Sequence, residues 1–144
     1  MADLPADAAA LIAAARDAAG KAYAPYSGFH VGAAVRTADG RVFAAANIEN
    51  ASYGLSLCAE TNAIMAAAVA GARDVVGVAV VGYRAADPEA PVLATPCGRC
   101  RQVINEFAAP ATPVYVSDRS GEEVLSTTLG ALLPHAFGPD RLAG

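Results

Sequence analysis

Three cysteines and one glutamate limit what this chain can fold into more than any other feature of its sequence. Cys58, Cys97 and Cys100 are the only cysteines. If the three thiols meet at one ion, zinc suits them best, because soft thiolates select it. A structural zinc normally has four protein ligands, whereas a catalytic zinc keeps one position open for water. The sequence therefore predicts a three-thiolate zinc site that performs chemistry.

Glu60 lies too close in sequence to Cys58 to be a comfortable fourth ligand, but it is well placed to exchange protons with a metal-bound water. The alternative for Glu60 is a carboxylate that simply favours the positive end of a helix. The alternative for the cysteines is a redox dithiol or a set of buried core thiols, since CxxC alone is a weak signal. The two histidines, His30 and His135, have no metal-like spacing to the cysteines.

Hydrophobic periodicity predicts a layered α/β domain with a mixed sheet. Asp39-Gly40 between two apolar runs predicts an antiparallel hairpin, and Asp3 or Asp7 suits the start of the first helix. Strands joined by a helix are expected to be parallel. The predicted elements are a helix from Pro5 to Ala19, strands from Val31 to Thr37 and from Arg41 to Ala46, a helix from Leu57 to Ala70, a central strand from Asp74 to Tyr83, a brief pairing at Val92–Ala94, a helix from Cys97 to Phe107, strands from Pro113 to Ser117 and from Glu123 to Ser126, and a last helix capped by Thr127 or Thr128 and ending at Leu133.

Composition bears on the partners that the chain can have. We expect residues 1–144 to form one domain. A hydrophobic content of 55%, with 17% charged residues, is high for this length and predicts burial between subunits. The net charge of -4 has the wrong sign for a nucleic-acid surface. Three cysteines, no signal peptide and no long apolar run lead us to expect a cytoplasmic protein without membrane contact.

The order of short motifs along nearly the whole chain resembles the small, single-domain cytidine deaminases that act on free nucleosides. A metal-binding residue, one spacer and Glu, followed later by PCxxC, is the signature of the zinc nucleobase deaminases. Here the signature comprises residues 58–60 (CAE) and 96–100 (PCGRC). The other matching segments are residues 24–27 (APYS), 29–34 (FHVGAA), 47–50 (NIEN), 101–103 (RQV) and 132–134 (LLP). The resemblance implies a three-layer α/β/α fold of the cytidine deaminase type, with a mixed sheet of about five strands.

The resemblance also implies a Zn²⁺-dependent enzyme of pyrimidine salvage that hydrolyses cytidine and deoxycytidine to uridine and deoxyuridine and releases ammonia. Cys58, Cys97 and Cys100 would bind the metal, and Glu60 would carry protons from water to ring N3 and to the leaving amino group. One alternative is a deaminase of another cytosine compound, such as an N4-modified cytidine or blasticidin S, whose family also carries PCGRC. Another is a catalytically silent metal-binding module. The NIEN segment favours a nucleoside, and Glu60 argues against the silent module.

Substrate-binding residues follow from the same resemblance. It implies that Asn47 and Glu49 bind the ribose hydroxyls, that Phe29 lines the base pocket, and that the backbone amides of Ala59 and Cys97 contact the base. An amide and a carboxylate with one residue between them on extended backbone do present two polar groups to one side. The alternative for Asn47 is turn formation, and for Phe29 it is ordinary core packing.

Two further aromatic residues bear on assembly. Tyr53 and Phe137 resemble side chains that help to complete a neighbouring subunit's pocket in the tetrameric members of the family. The resemblance therefore implies a homotetramer with shared active sites and a small nucleoside as the only other partner.

The chain departs from the family beside the catalytic glutamate. Many members have Arg there, which offsets the charge of the three-thiolate zinc, whereas this chain has Thr61. Arg99, between the last two cysteines, is often Ala in those members. We hypothesise that Arg99 takes over the tuning of the zinc charge. The alternative is that Arg99 is solvated and Thr61 merely packs.

Overall fold

Five strands and three long helices follow one another along the chain in the computed structural model, which describes residues 4–142. In chain order the elements are α1 (Ala6–Ala19), β1 (Phe29–Thr37), β2 (Val42–Ala46), α2 (Ala59–Val69), β3 (Val75–Arg84), α3 (Gly98–Phe107), β4 (Pro113–Ser117), β5 (Val124–Thr128) and the short α4 (Leu129–Leu132). The predicted order of elements is confirmed. Asp3, placed by the prediction near the start of the first helix, lies outside the described residues.

The five strands form one mixed sheet in the order β2-β1-β3-β4-β5. β1 pairs antiparallel with β2 and β3, β3 pairs parallel with β4 across α3, and β4 pairs antiparallel with β5. In the β1–β2 turn, Asp39 Oδ1 accepts hydrogen bonds from Thr37 Oγ1 at 2.6 Å and Arg41 N at 3.1 Å. Gly40 adopts a φ of +89°, which suits glycine. The predicted hairpin and the central place of β3 are confirmed.

The helices lie on both faces of the sheet. Side chains from α2 and α3 pack with Val35, Val78 and Val80 on one face, whereas Leu11 and Ile12 of α1 belong to a second cluster with alternate residues of β1 and β3. This period-two division between faces produces the three-layer α/β/α arrangement expected from the sequence.

Small residues let α1 approach the sheet closely. A Cβ added at Gly32 would lie 1.9 Å from the carbonyl oxygen of Ala15 and 2.4 Å from the amide nitrogen of Ala19. Ala15 and Ala19 are therefore explained by the close packing of α1 against β1. Among residues 4–142, no helix has the length and apolar character needed to cross a membrane.

Several boundaries differ from the prediction by one or two residues. The helix expected from Leu57 begins at Ala59, because Cys58 keeps extended backbone (φ -74°, ψ 155°) and occupies the N-cap position. The brief pairing expected at Val92–Ala94 is absent, and that stretch is loop. Thr128 caps the last helix as expected, since its Oγ1 accepts a hydrogen bond from Ala131 N at 3.2 Å.

Candidate active site

The three cysteines converge although they come from separate segments. Cys58 is the N-cap of α2 and Cys97 the N-cap of α3, and Cys100 lies in the first turn of α3. Their Sγ atoms all lie within 4.8 Å of one another. Three sulfurs bound tetrahedrally to one zinc at ~2.3 Å would be about 3.8 Å apart, so a small adjustment brings them into coordination. The donor set and its geometry fit Zn²⁺, and the two positive helix ends favour thiolates there.

The thiols influence one another before any metal binds. Hydrogen bonding with Cys100 lowers the pKa of Cys58, although burial opposes this effect. The same contact, together with burial, raises the pKa of Cys100 far above that of an ordinary thiol. Thr61 Oγ1 lies 3.4 Å from Cys100 Sγ, and this hydrogen bond works in the opposite direction by lowering the pKa of Cys100. The contact between the two sulfurs therefore favours the thiolate form of Cys58 over that of Cys100.

Glu60 is a buried carboxylate beside the cysteines. It lies in the first turn of α2, and its residue surface is only 4% exposed. Burial raises the pKa of Glu60, because the charged form loses water, while a hydrogen bond with Cys100 acts in the opposite direction. A carboxyl group with a raised pKa holds and releases a proton closer to neutral pH than an exposed glutamate does. This property suits a proton carrier.

A cavity of about 350 Å³ opens onto Cys58, Cys97 and Glu60. It brings together most of the side chains that the sequence selected, since Phe29, Asn47 and Ala59 are among its walls. Sequence reasoning did not select the remaining wall residues, which are Val31, Leu93, Ala94 and Thr95. Residues 93–95 belong to an irregular loop without hydrophobic periodicity, so the sequence carried no signal for their place.

Asn47 fixes the start of β1. Its Oδ1 accepts a hydrogen bond from Val31 N at 2.9 Å, and its Nδ2 donates to the carbonyl of Phe29, also at 2.9 Å. The amide oxygen and the amide nitrogen of Asn47 can each form one further hydrogen bond. Asn47 is therefore able to bind a ligand while it holds Phe29 in place.

Glu49 does not line the cavity that opens onto Glu60. Its Oε1 accepts from the backbone amides of Tyr26 at 3.0 Å and Ser27 at 3.1 Å, and its Oε2 accepts from Ser27 Oγ. These bonds, with the Ser27 hydroxyl as the largest contribution, lower the pKa of Glu49. The carboxylate therefore clamps the loop before β1. Glu49 and Tyr53 both border a small surface depression that is separate from the cavity beside Glu60. Tyr53 is 73% exposed, and its ring centroid lies 5.6 Å from that of Tyr26.

Phe137 does not line the cavity that opens onto Glu60 either. The residue is 59% exposed, while its carbonyl accepts hydrogen bonds from Gln102 Nε2 at 2.8 Å and Asn105 Nδ2 at 3.2 Å. His135, two residues before it, has a φ of +53°, an uncommon value for a residue other than glycine. Sequence reasoning missed both α3 amides, because hydrogen bonds to a backbone carbonyl leave no motif.

The arginines near the cysteines occupy different surroundings. Arg99 is exposed to solvent. Arg101 is partly buried, donating from Nε to the carbonyl of Pro96 at 2.7 Å and from Nη1 to that of Leu132 at 2.8 Å. The segment just before Cys97 is thereby joined to α4. The sequence singled out Arg99 and passed over Arg101, whose long-range contact could not be read from spacing.

Comparisons with known proteins agree with this geometry. The family model for the cytidine and deoxycytidylate deaminase zinc-binding region matches residues 5–116. The chain is 44% identical over 133 residues to a cytidine deaminase of Sporosarcina psychrophila, covering 92% of this chain and 93% of that protein. It is 50% identical over 116 residues to one of Halalkalibacterium halodurans, covering 81% and 83%. The crystal structure of cytidine deaminase from Burkholderia pseudomallei matches with a TM-score of 0.79 and 47% identity, covering 90% of this chain and 98% of that one.

Proposed function

The chain belongs to the family of the cytidine and deoxycytidylate deaminase zinc-binding region, and from that membership we infer that it hydrolyses cytidine to uridine and releases ammonia. We propose that deoxycytidine is a substrate as well. The observation that carries the inference is the meeting of three thiols within 4.8 Å beside a carboxylate that is 4% exposed. An amino group on the pyrimidine is exchanged for oxygen, so the site must activate water and move protons.

Glu60 is the catalytic residue of the proposal. Cys58, Cys97 and Cys100 would hold Zn²⁺, which supplies a Lewis acid that makes water nucleophilic at neutral pH when it is bound. Glu60 takes a proton from the attacking water, gives it to ring N3, and carries the next proton to the leaving amino group. Its burial supports this role, because a raised pKa lets the carboxyl group act alternately as base and acid.

We propose that the cavity walls orient the nucleoside. Phe29 lies against the base, and the backbone amides of Ala59 and Cys97, at the starts of α2 and α3, contact its polar edge. Asn47 and Glu49 bind the sugar hydroxyls. The hydrogen bonds of Asn47 to the backbone of β1 support its part, since they hold it beside Phe29 on the cavity wall.

We propose that four copies assemble and share their active sites. Tyr53 and Phe137 both lie outside the cavity that opens onto Glu60 in their own chain, and both residues are mostly exposed. Exposed apolar side chains are numerous for so small a protein and include Tyr23, Tyr26, Ile48, Leu55, Met65 and Val69. Exposed apolar surface of this kind favours association. In the tetramer, Tyr53 and Phe137 of one copy would close the nucleoside pocket of another.

We further propose a single-domain cytoplasmic protein that acts on free nucleosides in pyrimidine salvage. The net charge of -4 disfavours a polynucleotide substrate. Free thiols at the proposed metal site are best kept in a reducing compartment.

Ammonia release tests the proposal. Zinc-loaded protein should release ammonia from cytidine and deoxycytidine, and Glu60→Gln should slow this release by about 10²- to 10⁴-fold while zinc content is retained. Blasticidin S, which would also release ammonia, is tested in the same assay as an alternative substrate. An N4-methylated cytidine would release methylamine instead, so its turnover is followed by the formation of uridine. Turnover of one of these without turnover of cytidine would overturn the substrate assignment but keep the chemistry, whereas a zinc-loaded protein inactive on all four compounds would overturn the proposed activity.

A further inference from the structure

Thr61 makes a contact that neither the proposed mechanism nor the cavity explains. Its Oγ1 lies 3.4 Å from Cys100 Sγ, and the two residues are 7% and 0% exposed. Thr61 and Cys100 are both absent from the walls of the cavity that opens onto Cys58, Cys97 and Glu60. Their contact therefore lies outside the walls of the cavity that we propose for the nucleoside.

The charge of the site makes such a contact valuable. Three thiolates outweigh the charge of one zinc ion, and the buried carboxylate of Glu60 adds to the excess whenever it is ionised. A buried anion is costly unless hydrogen-bond donors face it. The starts of α2 and α3 supply part of this compensation through their backbone amides.

Few side chains near the cysteines have a proton to give. Glu60 contacts Cys100, but as a carboxylate it has none. Arg101 directs its guanidinium to the carbonyls of Pro96 and Leu132, and Arg99 is exposed to solvent. Once Cys100 is a thiolate, the hydroxyl of Thr61 must be the donor of their hydrogen bond.

We propose that Thr61 is a positioning residue for the metal ligand Cys100. Its hydroxyl donates a hydrogen bond to the thiolate, fixes the sulfur where α2 and α3 meet, and reduces the electron density that the sulfur gives to the metal. The inference rests on the proposed zinc site but not on the identity of the substrate.

Four variants test this role. Thr61→Val removes the hydroxyl at nearly constant volume, and Thr61→Ser keeps it. Thr112→Val changes another buried threonine, in the turn before β4, and Arg99→Ala tests the competing source of charge. Each protein is loaded with Zn²⁺ to measure transfer of the metal to a chelator, and with Co²⁺ to record the thiolate-to-metal charge-transfer band. Thermal unfolding of each protein reports on folding.

We expect Thr61→Val to lose zinc to the chelator about tenfold more readily, the smaller loss typical when a partner of a metal ligand is removed. Its charge-transfer band should move to lower energy, because a sulfur without its hydrogen bond gives up an electron more easily. Thr61→Ser should restore both properties, and Thr112→Val should resemble the wild type.

Three outcomes would overturn the inference: an unmoved band in a folded, cobalt-loaded Thr61→Val protein, a Thr61→Ser protein that behaves like the valine variant, or a band shift found only in Arg99→Ala. Neither readout uses a nucleoside. A shifted band in a protein that deaminates no cytosine compound would leave the role of Thr61 standing while removing the proposed activity.

Discussion

The candidate site has two parts that are built differently. We call the three cysteines and Glu60 the metal end, and Glu49, Tyr53 and Phe137 the sugar end. At the metal end, three sulfurs lie within 4.8 Å and the neighbouring carboxylate is 4% exposed, all within one chain. At the sugar end, Glu49 and Tyr53 border a separate depression, and Phe137 lies at another site and is 59% exposed. One chain thus brings the cysteines and Glu60 together, whereas Glu49, Tyr53 and Phe137 lie apart from the cavity that opens onto Glu60.

This difference follows from how each half is attached to the fold. The cysteines and Glu60 lie at the starts of α2 and α3, whose apolar faces pack on the sheet core. Tyr53, by contrast, lies in a single turn of 3₁₀ helix without a buried residue. Side chains on packed helices are held more precisely than side chains on loops.

Glu60→Gln should have the largest effect. It tests whether Glu60 carries the protons of the reaction at the metal end. We expect kcat for cytidine to fall by about 10²- to 10⁴-fold, because the amide cannot carry protons. Metal analysis should show unchanged zinc, since the amide keeps the size of the carboxyl group. Glu106→Gln, an exposed glutamate on α3, is the matched control and should leave kcat unchanged. Activity in the Glu60 variant near that of the wild type would remove this residue from the mechanism.

Phe137→Ala tests whether another copy completes the sugar end. Loss of an aromatic side chain from a filled pocket should reduce kcat/KM roughly 10- to 30-fold, as at a protein–protein hot spot. Leu142→Ala removes another exposed apolar side chain near the end of the described chain and should have little effect.

Co-expression of the Phe137→Ala and Glu60→Gln variants makes this test more specific. If sites are shared, a subunit that keeps Glu60 can receive Phe137 from its neighbour, so the mixture should be more active than either variant alone. Activity equal to the average of the two separate variants would contradict a shared site.

The metal end was largely predictable from the sequence, and the sugar end was less so. Cys58 and Glu60 two residues apart, followed by a CxxC pair at a helix start, restrict where the chain must converge. Thr61, by contrast, gave no hint of its contact with Cys100, because the two residues are 39 positions apart and meet only where α2 and α3 pack. The loop wall at residues 93–95 was missed for a similar reason, since irregular backbone carries no periodic signal.

Gly82→Ala tests how tightly the base pocket is built within one chain. A Cβ added there would lie 2.6 Å from Ala94 Cβ and 3.2 Å from Phe29 Cε2. We expect a loss of about 1–3 kcal/mol in the free energy of unfolding, together with a higher KM as Phe29 moves. Gly77→Ala in the same strand is the control, because its nearest neighbour, Leu11 Cδ2, is 3.4 Å away. Equal effects of the two substitutions on KM would show that Phe29 does not depend on Gly82.

Ser27→Ala should have the smallest effect and concerns the clamp at the sugar end. The Ser27 hydroxyl is the largest cause of the lowered pKa of Glu49, so its removal should move that pKa back towards the ordinary value of 4.5. Because the folded-state pKa is lowered, the stabilising contribution is present above pH 4.5 and is lost as the pH falls through the folded-state value. The variant should therefore lose some stability at neutral pH and be less sensitive to acid than the wild type.

Carbon-13 NMR titration of the glutamate carboxyl groups measures this pKa, and thermal unfolding at neutral and acidic pH measures the stability. KM for cytidine should rise about twofold, the effect of one modest hydrogen bond. Ser56→Ala, which removes a hydroxyl from the same depression and frees Asn50 N instead, should leave the pKa of Glu49 unchanged. A Glu49 pKa that stays low in Ser27→Ala would mean that the backbone amides of Tyr26 and Ser27 hold the carboxylate by themselves. In that case the loop before β1 is as self-sufficient as the metal end, and only the aromatic residues of the sugar end would depend on a second copy.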